Sequence, residues 1–561
     1  MLASRVLIGL LLILVGPVHG EGIGVAPPLA ETTAAWFEVR SWLNEGGPPE
    51  RDRSDARISI PESDRAVVVL RLNGRTVGVG TSLDAGPLAL HDATTAAIRD
   101  AFADRVLQPF TSEERRRALA RLQLEIEIAG KRRPLVGATL AAAASRIRPG
   151  LDGMAVRRRQ DVAMAFPGRM LSTGTANAQP TTIIRLLREL GLPPKDLPEL
   201  RRIDSVQLET FESVRIGQDS PDASPRERRR SGEIVPRRPL DRDLVSNLSR
   251  DLDERLRRWR PTAPADGGSK DAAKTMWLGD FSPVSDRYQP LEASPTESMV
   301  AYWASAEELG AAIPGPVDVD TPSAELVDLA LLASSRAGRS DRATEWSVLC
   351  EAWTPQPEVV PLARRAAALA LADAELVGDE EVARAHESAW SEVDDVTDVV
   401  AGFDWLALLE LGRTRRGLPR SPRLDSLRAV QDALLLRQVE TDGDDDGGIP
   451  LSEGVGVSPD ARSIRVLLGM AALSEIADED DARRDRTRRG LEGLIRFVRQ
   501  LMLDPSEASE LRGGRTGVGG VQHSLSDREQ SLAATATTRV AIDLLEPSDP
   551  TGSAQRNQDG L

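Results

Sequence analysis

The chain has 561 residues, 40% of them hydrophobic and 28% charged, a composition that suits roughly two to four packed domains and excludes a disordered polymer. A formal net charge of −16, from 71 Lys+Arg against 87 Asp+Glu, repels phosphate backbones and acidic lipid headgroups and disfavours a nucleic-acid binder. The single cysteine, Cys350, excludes an internal disulfide, so stability must come from packed cores.

Met1 to Gly20 has the layout of a secretory signal peptide: one cation at Arg5, an apolar run from Val6 to Val15, Pro17, then small Val18 and Gly20. The apolar run falls well short of the ~20 residues that span a bilayer. The expectation is a mature chain starting near Glu21, periplasmic or secreted, with no stable membrane span once the signal is removed.

Beyond it, Ala66–Leu72 and the alternating Leu122–Ile128 predict strands, with a helix through Ala93–Phe102 between them. Thr111 and Glu114 have capping-box spacing. Gln218 to Pro239 turns to Ser, Pro, Asp and Arg, including Arg226-Glu227-Arg228-Arg229-Arg230, and reads as a solvated linker. Leu244, Leu248, Leu252 and Leu256 then mark one apolar stripe of a helix at 241–260. Beyond Asp280 the chain reads as successive helices, with N-terminal signals at Ser294-Pro295, Ser458-Pro459 and Ser526-Asp527, and stops at Gly338, Gly378 and Gly412. The predicted organisation is a signal peptide at 1–20, an α+β domain at 21–215, a linker at 216–240, an all-α domain at 241–547 and a disordered tail at 548–561.

Two resemblances refine this. From Asn73-Gly74-Arg75-Thr76-Val77-Gly78-Val79-Gly80-Thr81-Ser82-Leu83 through Pro87-Leu88, Ala96–Asp104 and Gln108-Pro109-Phe110-Thr111 to the alternating strand, the order of features resembles the AMMECR-type domain. Gly150–Val156 and Thr182–Pro193 resemble its second half, so coverage is about 65–215. Where that family reads Leu-Arg-Gly-Cys-Ile-Gly, this chain has neither Arg nor Cys at Val77 and Val79, which removes an anion clamp and a thiol. The resemblance implies a fold and a binding or structural module. The C-terminal region resembles α/α toroids of the terpene-cyclase and glycan-enzyme type, through Gly279-Asp280-Phe281, Gly447-Gly448-Ile449 and Gly519-Gly520-Val521, each placed ahead of a helix.

Candidate chemistry is sparse. Asp442-Gly443-Asp444-Asp445 spells a cyclase-type Asp-x-Asp-Asp, but a cyclase needs aromatic walls, and only 3% of residues are aromatic. Trp303, Trp346, Trp353, Trp390 and Trp405 read as core. A glycan hydrolase or lyase needs two carboxylates across a groove; Asp280, Asp286 and Asp404 are candidates that no spacing selects. His91, His386 and His523 lack metal-ligand spacing, and no nucleophile elbow, phosphate loop or dinucleotide fingerprint is present. Asp442 to Glu453 matches a twelve-residue calcium loop, with Asp442, Asp444, Asp446 and Glu453 as ligands and Gly447 at the turn; the alternative is a plain acidic loop. The sequence therefore points to an exported two-domain protein, an α+β domain followed by an all-α toroid. It acts as a non-enzymatic binder or scaffold for a protein or glycan ligand, or alternatively as a glycan hydrolase or lyase with its site in the toroid mouth.

Overall fold

The computed structural model describes residues 26–546 except 74, 83, 106, 195–196, 231, 261–276, 307–312, 317–321, 353–354, 453–456, 477–479 and 509–510. The expected signal peptide, its cleavage point and the tail at 548–561 lie outside the described residues.

The α+β body opens with α1 (Leu29–Glu45), which buries Trp36, Val39, Trp42 and Leu43 at helical spacing and ends at Gly46 with φ 100°. The hairpin of β1 (Ala66–Leu72) and β2 (Arg75–Thr81) carries α2 (Ala89–Ala103) on its face. A Cβ at Gly78 would strike the Ala97 carbonyl and one at Gly80 the Ala93 carbonyl, so these two glycines let α2 lie directly on β2. α3 (Ser112–Leu119) starts at the predicted Thr111/Glu114 capping box, and β3 (Gln123–Ala129) follows.

The remaining elements are β4 (Arg133–Pro134), α4 (Leu140–Ala144), β5 (Asp152–Arg158), β6 (Asp161–Ala165), α5 (Pro167–Ser172), α6 (Gln179–Glu189), α7 (Leu197–Asp204), β7 (Val206–Gly217) and β8 (Arg226–Glu227). The sheet runs β2-β1-β3-β7-β5-β6, with β4 and β8 each adding to β7, and every pairing is antiparallel. The 12-residue β7 pairs its first half with β5 and its second half with β3, so the sheet curls about it.

The helical body contains α8 (Arg242–Arg258), α9 (Pro295–Ala304), α10 (Ala324–Arg336), α11 (Ser340–Ala352), α12 (Val359–Leu371), α13 (Asp379–Ser391), α14 (Val396–Ala401), α15 (Phe403–Arg415), α16 (Arg423–Leu436), α17 (Ser463–Glu475), α18 (Asp481–Leu501) and α19 (Leu532–Leu545). Helices α9, α10, α12, α15, α17 and α19 each pack on the next, and α19 closes on α9. Outside this ring α11 packs on α10, α13 on α12, α18 on α17 and α8 on α19. This closed double ring is an α/α toroid in architecture, built around one continuous apolar core. The layout of an α+β body followed by an all-helical body matches the sequence expectation. Among the described residues no helix is long and apolar enough to cross a membrane.

The glycine repeat is a repeated turn. Gly447 and Gly519 have φ 82° and 86°, a region that favours glycine. The Ile449 amide donates to Ser463 Oγ at 3.2 Å, and the Val521 amide donates to Thr535 Oγ1 at 3.1 Å, each hydroxyl lying in the inner helix that follows. Other local signals read differently in three dimensions. Gly378 precedes α13 instead of ending a helix. Gly412 sits inside α15, where a Cβ would strike Ala370 of α12. Ser526–Glu529 does not begin a helix: Asp527–Gln530 is a strand of a small sheet with Phe281–Ser282, Arg287–Tyr288 and Gln522–Ser524, and Ser531 caps α19. Sheet pairing there overrides the helical propensity of Asp-Arg-Glu-Gln.

Residues 216–240 are not a solvated linker. Arg226–Glu227 joins β7 as β8, Arg228 and Arg230 are buried, and the stretch after them lies along α18. Gln500 of α18 accepts from the Val235 amide at 2.8 Å and donates to the Glu233 carbonyl at 2.8 Å, while Glu492 accepts from the Leu240 amide at 3.1 Å. The composition suggested solvation because arginine is usually exposed; here Arg230 and Arg237 find carboxylates on the second body, and Arg228 finds Asp219 within the segment.

Candidate functional site

The acidic loop ahead of α17 has cations, and they are guanidinium groups. Arg230 grips Asp444 through two bonds of 2.7 and 2.9 Å, and Arg237 grips Asp446 at 2.6 and 2.7 Å. Arg496 of α18 donates to the carbonyls of Gly443, Asp444 and Asp446 at 2.8 to 2.9 Å, so the loop wraps it as it would a metal ion. Arg230 Nη1 also reaches Ser458 Oγ at 2.9 Å, which explains a serine that caps no helix. Burial alone would push the carboxyls of Asp444 and Asp446 up, but the paired arginines hold both below the usual range. Two of the four expected calcium ligands are thus committed to arginines, Asp442 is exposed, and Glu453 lies outside the described residues. A calcium ion here would compete with three seated guanidinium groups. Among the described residues no three or more His, Cys, Asp or Glu side chains gather as a metal would need.

A second cluster lies on the polar face of β3. Leu124, Ile126 and Ile128 enter the core under α1 and α2, yet Gln123, Glu125 and Glu127 on the opposite face are buried as well. Across the strands they meet Arg71 of β1 and Arg215 of β7, which stands opposite Glu127 in the ladder. Arg528, on the strand Asp527–Gln530, pairs with buried Glu507, and its guanidinium is pushed down to about 9 by burial and by the charges of Arg215 and Arg228. The ionic face of the sheet is therefore closed over by the helical body.

Glu127 is the unusual member. Its Oε1 and Oε2 each accept from the Gly168 amide at 3.1 Å, and Oε1 accepts from Ser213 Oγ at 2.7 Å. Burial outweighs Arg215 and these bonds and raises its carboxyl to about 7. Gly168 is required, because a Cβ there would press on Glu127 Oε2 and Arg215 Cδ. A cavity of about 240 Å³ opens beside Glu127, walled also by Arg148, Glu212, Arg215 and the 227–229 strap.

At the N-terminal ends of the inner helices, His523 Nε2 lies 3.0 Å from Asp280 Oδ2, while Asp280 Oδ1 accepts from the first amide of α19 at 3.1 Å. The bond to Asp280 raises the His523 imidazole above its ordinary value, and Asp527 and Glu529 add to the effect. Burial, with the charges of Asp527 and Asp280, raises the Glu529 carboxyl. Ser526 Oγ reaches Asn177 of the α+β body at 2.8 Å. Of the other expected acids, Asp404 is buried in a two-bond pair with Arg465 at 2.8 and 2.9 Å, and Asp286 sits in a turn with φ 57°. His386 pairs with Glu410 at 2.8 Å, and His91 lies against the Pro49 carbonyl at 2.9 Å.

Trp303, Trp346 and Trp390 are buried in the core, as read, Trp405 is partly buried against it, and Trp353 lies outside the described residues. Trp303 of α9 stacks on Trp405 of α15 with ring centroids 6.0 Å apart. Those helices stand opposite one another in the ring, so the stack crosses its axis.

No protein-family model matches the sequence. No curated protein matches it either. Among solved structures, the uncharacterized protein PH0010 from Pyrococcus horikoshii is a weak neighbour, similar over 36% of this chain and 97% of that one, at 16% identity and a TM-score of 0.26. A likeness that slight carries no argument, and the two-body layout stands on the geometry above.

Proposed function

We propose that the chain is a non-enzymatic binding or scaffold protein working outside the cytoplasm, in which an AMMECR-like body and a toroid are locked together and the toroid rim faces the ligand. The observation that carries this reading is the Trp303–Trp405 stack across the ring. A toroid enzyme needs an open axial mouth for substrate, and an aromatic stack across the axis narrows that mouth and leaves a rim suited to docking. The rim group of Asp280, His523, Asp527 and Glu529 is accessible in part and acidic, in keeping with a hydroxyl-rich or cationic glycan. The signal-like N-terminus supports export and release of a soluble chain.

The second reading, a glycan hydrolase or lyase, draws on the same rim: a His–Asp pair beside a carboxyl with a raised pKa is general acid–base equipment. Incubation of the full chain with isolated peptidoglycan and with neutral and cationic polysaccharides separates the two. The expected result is retention without turnover, weakened about tenfold in an Asp280→Asn, Glu529→Gln variant, the scale of one or two charge-assisted bonds. Release of new reducing ends or unsaturated products, abolished by His523→Ala, would establish the enzyme instead.

A further inference from the structure

We propose that Glu127 is a pH-sensitive latch on the seam: uncharged, it lets the 227–229 strap lie closed on β7, and ionised, it parts that contact and admits water. The geometry sets this up. Glu127 is 2% exposed, and its carboxyl accepts from the Gly168 amide and the Ser213 hydroxyl. Among the described residues no cation forms an ion pair with it, because the guanidinium groups around it are committed elsewhere. Arg71 holds Glu125 at 3.3 Å, Arg215 donates to the Arg229 carbonyl at 2.8 Å, Arg228 pairs with Asp219, and Arg148 holds Asp152 and Glu212, both at 2.7 Å. The remaining charges on the packed elements are Arg169 of α5, the Glu227–Arg229 pair of the strap, and Arg528 with Glu507 on the helical body. A carboxylate formed at Glu127 is therefore a buried charge without a partner, beside the like charge of Glu125.

The strap is the part that can give way. Its contact with β7 includes the Arg228 amide on the Arg215 carbonyl at 2.8 Å and Arg215 Nη2 on the Arg229 carbonyl, and an ionised Glu127 competes for that same guanidinium. The cavity of about 240 Å³ beside Glu127 is walled in part by the strap, so parting the strap from β7 widens it and hydrates the carboxylate. Arg230–Asp444 and Arg237–Asp446 keep the strap on the toroid, and the two bodies stay joined while this contact loosens. Closed, the carboxyl titrates at about 7; open and hydrated, it returns toward its ordinary 4.5. Opening thus releases a proton, and the ratio of open to closed strap grows about fortyfold from pH 5 to pH 7 and only about twofold more by pH 8. The latch is separate from the toroid rim and works whatever the rim binds.

Hydrogen–deuterium exchange of the full chain between pH 5 and pH 8, corrected for intrinsic exchange rates, tests it on the peptide spanning Arg226–Arg230. The expected result is that fortyfold rise in strap opening, with α12 in the ring exchanging more slowly throughout. Glu127→Gln abolishes the rise. Ser213→Ala, which removes one bond to the carboxylate, keeps the rise and moves it to higher pH. Strap protection that ignores pH in the wild type would overturn the proposal, as would a rise that persists in Glu127→Gln or an unmoved profile in Ser213→Ala. Strap exchange as slow as that of α12 would also overturn it, since the strap would then open only with the whole fold.

Discussion

Asp444→Ala lowers the unfolding free energy at pH 7 by about 3–5 kcal/mol, because it leaves the buried guanidinium of Arg230 without its carboxylate. Both side chains are nearly inaccessible, 2% and 5% exposed, so water cannot replace the lost partner. The paired replacement Arg230→Met, Asp444→Leu recovers most of the loss, since it removes both charges and keeps apolar volume. Urea unfolding of the two variants measures this directly. The contribution of the pair also depends on pH. Asp444 has a folded pKa below its unfolded value of ~3.9, so its stabilisation is complete above that value and disappears as pH falls through the folded one. The Asp444→Ala curve converges on wild type in acid, and the separation is complete above pH ~4.

Glu127→Gln acts in the opposite direction. The wild-type carboxyl rises from 4.5 to about 7 on folding, so the folded protein keeps a proton that the unfolded chain releases. Wild-type stability therefore declines between those two values, by at most about 3 kcal/mol at 1.36 kcal/mol per unit, and is lowest with respect to this group above pH 7. A neutral amide removes that decline. At pH 8 the variant is the more stable protein, and at pH 4 the difference has vanished or reversed. Thermal melts across pH 4–8 check the sign: a variant less stable than wild type at pH 8 would show that the Glu127 carboxylate is stabilised where it sits.

The division of the fold was legible because period carries it. Alternation at Leu122–Ile128 and four-residue spacing at Leu244–Leu256 are local signals, and both became the elements they predicted. The repeated Gly-Gly turn was also local, since a left-handed glycine followed by a hydroxyl-bearing helix writes itself into adjacent residues. The seam was not legible. Glu125 and Glu127 alternate with apolar residues as the solvated face of a strand would, and nothing near them in sequence announces that Arg528 and Glu507 will cover them. Arg230 and Asp444 lie 214 residues apart. For the acidic loop, the spacing marks clustered carboxylates, and a carboxylate reads the same before a calcium ion and before an arginine. Of the rim acids only Asp280 stood among the candidates, because its pairing with His523 depends on a ring that closes after 243 residues.

The two bodies behave as one unit, joined by a packed strap and a buried ionic seam. Differential scanning calorimetry at pH 7, with limited proteolysis of the native protein alongside, tests it most directly. The expected result is one transition, with calorimetric and van't Hoff enthalpies that agree, and a strap at 218–239 that resists cleavage until the whole chain unfolds. Two separated transitions, or early cuts within 218–239 that release two folded pieces, would contradict it.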